Sequence, residues 1–145
     1  MAVHVAGCVA PVQFTLIAGG HSNLTYAATD AARHEFVVRR GPLGRSGGGA
    51  HDMSREHRVI DALGATAVPV ARALALCDDE AVNGSSFYVM SRVAGAVLAN
   101  VAIADAFLPH PTLRRHAGEQ VVDVLAAMHS VDVDAVGLAD AARRD

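Results

Sequence analysis

Polar and apolar residues alternate most clearly at Asn23–Thr29, where Leu24, Tyr26 and Ala28 stand against Asn23, Thr25 and Ala27. This period of two predicts a strand. Val12–Ala18 reads as a strand before it. Glu35–Arg40, with a β-branched centre, reads as a strand after it, joined through a polar turn at Asp30–Arg33. Residues 41–49, GPLGRSGGG, carry five Gly and predict a flexible connection. The period then changes. Met53, Glu56, His57, Ile60 and Leu63 recur at helical spacing, with Asp52 as N-cap and Gly64 as the stop.

Val68–Asp78, beginning after Pro69, predicts a fourth strand, Asn83-Gly84 a hairpin turn, and Ser86–Val93 a fifth strand interrupted by Ala94-Gly95. Residues 96–108 are Ala-rich and predict a short helix. Thr112–Ser130 is the most regular helical segment, with Leu113, Ala117, Val121, Val124, Leu125 and Met128 in one stripe. The last fifteen residues read as a loop and a polar end. The predicted order is β-β-β-α-β-β followed by helices.

Composition narrows the function classes. At 145 residues, one domain is the default. A net charge of −3 gives no basic face for a phosphate backbone, so nucleic acid is not an expected partner. No apolar run approaches the length of a membrane span. The segment Val5-Ala6-Gly7-Cys8 is preceded by no Lys or Arg and only a short apolar region, unlike a signal peptide. Cys8 and Cys77 lie far apart with no CxxC spacing, which suits a reduced, cytoplasmic setting without a disulfide framework. The eight His show no metal-ligand spacing; His51 and His57, six apart, fall on different faces of a helix.

The stretch richest in chemistry is Gly19–Arg40. It opens on Gly19-Gly20-His21-Ser22-Asn23 and closes on Arg39-Arg40. Gly in such a loop lets backbone N–H groups approach an anion closely, because no Cβ intervenes. A Rossmann βαβ unit needs a helix directly after the glycine loop, and here a strand follows; a Walker A loop needs GK[ST], which is absent. Each residue also has a structural reading. Gly19-Gly20 serves a tight turn, Ser22 and Asn23 satisfy its backbone, Arg39 and Glu56 are solvated charges, and Met90 is core.

Six stretches in register carry a family resemblance: GGHSNLTY (19–26), FVVRRGPLG (36–44), AHDMSREHRVIDAL (50–63), VPVARALALCDD (68–79), FYVMSRVAG (87–95) and LAAMHSVD (125–132). On these the chain resembles the aminoglycoside phosphotransferase superfamily of protein-kinase-like fold. Within it, the chain resembles the kinase-like N-terminal domain of acyl-CoA dehydrogenase family members 10 and 11. The resemblance implies an α+β fold: a small lobe of five antiparallel strands and one helix over residues 1–95, then the first helices of a large lobe over 96–145.

The resemblance also implies ATP and Mg²⁺ as cofactors and a small-molecule hydroxyl, hydroxyacyl-CoA or aminoglycoside-like, as acceptor. Gly19, Gly20, His21, Ser22 and Asn23 take the place of the loop over the ATP phosphates. Arg39 stands at the position of the strand-3 Lys. Glu56 is its helix partner, and Met90, Ser91 and Val93 lie on the hinge that reads adenine.

Two departures are visible against the family pattern. The segment GRSGGG replaces a more apolar, Pro-containing connection, which loosens the placement of Glu56 relative to Arg39, and Ser91 replaces an acidic hinge residue. A larger one is that no H-G-D-x-x-x-x-N loop occurs; His129-Ser130-Val131-Asp132 has neither its spacing nor its Asn. The expectation is therefore a front portion of the fold that stops short of its catalytic loop, with no catalytic residue or metal ligand assignable. Three readings follow: part of a kinase, a non-catalytic nucleotide-binding or interaction module, or a decayed remnant.

The stripe on 112–130 sharpens this expectation. Leu113, Val121, Val124, Leu125 and Met128 represent on the order of 10 kcal/mol of burial, comparable with the whole stability of a domain at about 5–15 kcal/mol. In the full fold this stripe packs into the large lobe; here folding back onto the sheet is expected to recover only some of that burial, leaving a marginal, association-prone chain unless a partner supplies the surface.

Overall fold

The computed structural model describes residues 5–18, 23–42 and 52–141. Eight elements occur among them: β1 (Gln13–Ala18), β2 (Leu24–Thr29), β3 (Glu35–Arg40), α1 (Met53–Leu63), β4 (Ala73–Cys77), β5 (Phe87–Ser91), α2 (Val101–Phe107) and α3 (Pro111–His129). The strands form one antiparallel sheet in the order β1-β2-β3-β5-β4. This is the five-stranded sheet and helix expected from the sequence. Most of the 41–49 connection lies outside the described residues.

Residues directly opposed across antiparallel strands share a face. The register Thr25↔Arg39↔Tyr88 therefore places those three on one side, and Tyr26↔Val38↔Val89 on the other. The second face carries the main core: Ala28, Phe36, Val38, Cys77, Phe87 and Val89, joined by Val5 from the N-terminal segment. The first face receives α1, whose Met53 is completely buried. Both cysteines are free. Among the described residues no helix is long and apolar enough to cross a membrane.

Three boundaries differ from expectation. The fourth strand begins at Ala73 rather than directly after Pro69, because Arg72 meets Ser91 outside the ladder. The Ser91 N–H donates to the Arg72 carbonyl, and the Arg72 N–H donates to Ser91 Oγ. That side-chain acceptor also ends β5 at Ser91 instead of Val93. The helix expected over 96–108 is shortened to Val101–Phe107, because Asn100 Oδ1 accepts the Ile103 N–H and caps it there.

Two ends of α1 behave differently. Asp52 caps its start as expected, accepting the Arg55 N–H. Gly64 ends it in the right-handed conformation (φ −60°), so the stop needs no left-handed residue. Gly84, in the β4–β5 turn, does adopt a left-handed φ of 84°.

The stripe on α3 stays uncovered, as a chain without the large lobe was expected to leave it. The helix buries no residue; Val121 is 61% exposed and Leu125 46%. It does not fold back to recover its apolar face against the sheet.

A buried carboxylate helps to pin the N-terminal segment, beside the Ala31 N–H, which donates to the Val9 carbonyl at 3.0 Å. Asp30, fully buried in its side chain, accepts the Val9 and His34 N–H groups at 2.9 and 2.7 Å, with the His34 imidazole at 3.0 Å. Burial pushes this carboxyl up, but those hydrogen bonds outweigh it and bring it from the ordinary 3.8 down to about 2. A depressed carboxylate contributes stability above its unfolded pKa and loses it as pH falls through the folded one. We therefore expect the urea midpoint to fall between about pH 4 and pH 2, and Asp30→Asn to flatten that slope while lowering the midpoint at neutral pH. An unchanged slope in the variant would mean that Asp30 does not hold the segment.

Candidate functional site

The site is built on the α1-facing side of the sheet. Alternation along β3 sends Arg39 to that side, β5 sends Tyr88 there from the next strand, and β2 adds Thr25. Above them, α1 lowers Glu56 onto the guanidinium. Arg39 Nε donates to Glu56 Oε2 at 2.6 Å and Nη2 to Oε1 at 3.4 Å, a two-pronged pair of the kind an ammonium cannot make.

Glu56 is a shared acceptor. Tyr88 Oη donates to Oε2 at 3.1 Å and Asn23 Nδ2 to Oε1 at 2.9 Å. Arg39 Nη1 donates in turn to Thr25 Oγ1 at 3.3 Å. These contacts use one N–H on each terminal guanidinium nitrogen and leave one on each for another acceptor.

The electrostatics follow. The Glu56 carboxylate raises the Arg39 guanidinium above its already high range, chiefly through the hydrogen bond, against the opposing effect of burial. The Tyr88 phenol is pushed up to about 12, first by burial and then by the Glu56 charge and hydrogen bond, with Arg39 pulling the other way. The His57 ring meets Tyr88 edge-on, 6.1 Å between centroids.

A cavity of about 380 Å³ opens beside the pair, lined by Arg39, Glu56 and Tyr88, by Asp52, Arg55, Val59 and Ile60 of α1 and its cap, and by Met90. It combines an apolar wall with a cation, the makeup of a small-molecule site.

Of the residues singled out in the sequence, Arg39, Glu56, Asn23 and Met90 come together here. Gly19, Gly20, His21 and Ser22 lie outside the described residues. Ser91 and Val93 do not line this cavity: Ser91 Oγ accepts from the Arg72 backbone, and Val93 is 70% exposed. Asn23 braces Glu56 with its side-chain amide, a contact its position in a glycine loop did not announce. Tyr88, Thr25, Asp52, Arg55, Val59 and Ile60 were not singled out as site residues. Period-two alternation of Tyr88 with Met90 was the available signal for the first.

Comparison with known proteins now decides the family. A family model described as "Phosphotransferase enzyme family" matches residues 13–145. The chain belongs to the phosphotransferase enzyme family. The structure of this phosphotransferase-family chain resembles that of a candidate aminoglycoside phosphotransferase from Ralstonia eutropha, with a TM-score of 0.74 and 36% identity. The similarity covers 95% of this chain and 38% of that one. The fold is accordingly the kinase-like fold of aminoglycoside phosphotransferases.

The chain is also 34% identical to acyl-CoA dehydrogenase family member 10 of Mus musculus over 88% of its own length, and 30% identical to member 11 of Homo sapiens over 93%. It spans only 12% and 17% of the length of those relatives.

Removing the acceptor should be felt at once. We expect Glu56→Ala to cost about 1–2 kcal/mol, the low side of the range for stranded donors, because solvent screens a partly exposed pair. Glu56→Gln, in a Tyr26→Phe background that leaves Tyr88 as the one tyrosine, should move the alkaline phenol midpoint down toward 10.0. An unmoved midpoint would show that Glu56 does not act on Tyr88.

Proposed function

We propose that this chain forms the nucleotide-binding part of an ATP-dependent phosphotransferase that acts on a small-molecule hydroxyl. The observation that carries the reading is the Arg39–Glu56 pair, set on a strand and the following helix beside an apolar cavity, within a chain of the phosphotransferase enzyme family.

The residues present fit a nucleotide. Arg39 keeps an N–H on each terminal nitrogen for a phosphate oxygen while Glu56 holds the guanidinium plane in place. Tyr88, Val59, Ile60 and Met90 give the cavity an apolar wall suited to a base. Gly19, Gly20, His21 and Ser22 complete the proposal as a phosphate-covering loop, with Asn23 at its exit. Bound ATP would supply the transferable phosphoryl group; this chain's own part is to bind and orient it.

Mg²⁺ is a different matter. Among the described residues no three His, Cys, Asp or Glu side chains assemble into a metal site, and the 145 residues contain no H-G-D-x-x-x-x-N. We therefore assign no metal ligand and no catalytic base to this chain. A second reading is nucleotide binding by these residues without transfer. Both hydroxyacyl-CoA and aminoglycoside-like acceptors remain within the proposed class of small-molecule hydroxyls.

Calorimetric titration with a non-hydrolysable ATP analogue, paired with an ADP-release assay, separates the readings. We expect binding that weakens about tenfold or more in Arg39→Met, since a charge-assisted phosphate contact is lost, and no ADP release. No binding in a folded chain would overturn the nucleotide reading. ADP release by the chain would overturn the absence of catalytic groups.

A further inference from the structure

The two arginines that close β3 go to opposite faces of the sheet, and they are treated differently. Arg39 meets a carboxylate. Arg40 pairs in register with Leu24 and Phe87 on the core side and has no Asp or Glu partner among the described residues. Its Nε donates to the Gly41 carbonyl at 3.2 Å. Its Nη2 is buried and has no hydrogen-bond partner. A guanidinium stays charged at any pH a protein survives, so one that is partly buried without a carboxylate carries an uncompensated charge that an anion at its open edge would balance.

Next to it is a cavity of about 240 Å³ lined by Phe14, Tyr26, Val38, Arg40 and Asn83. Its walls are two aromatic rings and a valine, and it has no acidic lining residue. Asn83 uses Oδ1 to accept the Ser85 N–H at 3.3 Å, which leaves its amide NH₂ as a donor.

The two donors are held together before any ligand arrives. Buried Ser85 donates its hydroxyl to the Gly41 carbonyl at 3.1 Å, the same oxygen that receives Arg40 Nε. One carbonyl thus ties the guanidinium to the turn that presents Asn83, and pre-organised groups bind without a further ordering cost.

We propose that this cavity is a second binding site, for a small monocarboxylate with an aromatic or branched apolar body. The carboxylate would take the cavity-facing edge of the Arg40 guanidinium and the Asn83 amide, and the body would lie against Phe14 and Tyr26. A single cation in a mostly apolar lining suits one negative charge better than a phosphate, which calls for more donors. The site is on the opposite face from Arg39 and Glu56 and does not depend on nucleotide binding.

Benzoate is the probe, with benzyl alcohol as the uncharged control and inorganic phosphate as the anion without a body. Backbone and side-chain amide NMR spectra of the chain are followed through a millimolar titration. Saturable shifts at Phe14, Tyr26, Arg40 and Asn83 with benzoate, and not with either control, are expected. Arg40→Met should weaken benzoate by about tenfold or more. Phe14→Ala, on the half-exposed edge strand, should weaken it while leaving the fold intact, which keeps the test valid if the Arg40 variant unfolds. Equal shifts with phosphate would reduce the site to an adventitious ion only and overturn the proposal. Absence of shifts, or benzoate binding unchanged in Phe14→Ala, would overturn it as well.

Discussion

One carboxylate organises the α1 side of this molecule. Glu56 accepts from Arg39 on β3 through two nitrogens, from Tyr88 on β5 and from Asn23 at the start of β2. Four contacts on two oxygens tie three strands and the helix together at a single point. The charge of Arg39 cannot be removed by deprotonation, so its partial withdrawal from water is tolerable only while Glu56 stays in place. Glu56 stays in place because Met53, one turn earlier, is completely buried and Asp52 fixes the helix start. The pair and the helix therefore depend on each other.

The sheet divides the protein into two chemical environments. One face is polar at its centre and faces a cavity of about 380 Å³; the other is the hydrophobic core, covered by the N-terminal segment that Asp30 pins. β3 serves both because its side chains alternate, giving a satisfied arginine to one face and an unsatisfied one to the other. The exposed stripe of α3 stands apart from both. It is an apolar helix face that nothing covers among the described residues.

Much of this was legible in the residues, for identifiable reasons. Glu35–Arg40 formed the expected strand to the residue, because a β-branched run bounded by a polar turn leaves little choice. Asp52 was readable as a cap because its chemistry is local. The pairing of Arg39 with Glu56 came from family resemblance, since nothing in local spacing joins a strand to a helix across a glycine-rich connection.

What stayed hidden was non-local. Tyr88 reads as a strand aromatic until the register places it opposite Arg39. The early end of β5 depends on Ser91 meeting Arg72, nineteen residues away in sequence. The apolar stripe on α3 was visible, but amphipathicity states only that a face wants cover and not whether it finds any.

The central claim is that Arg39 and Glu56 form a pre-set phosphate contact beside a base-sized cavity. It is tested most directly by a crystal structure of the chain grown with a non-hydrolysable ATP analogue. The account predicts the phosphates at the free edge of the Arg39 guanidinium, with Glu56 still paired to it and the base against Tyr88 and Met90. An analogue bound elsewhere, or an Arg39 turned away from Glu56, would contradict it.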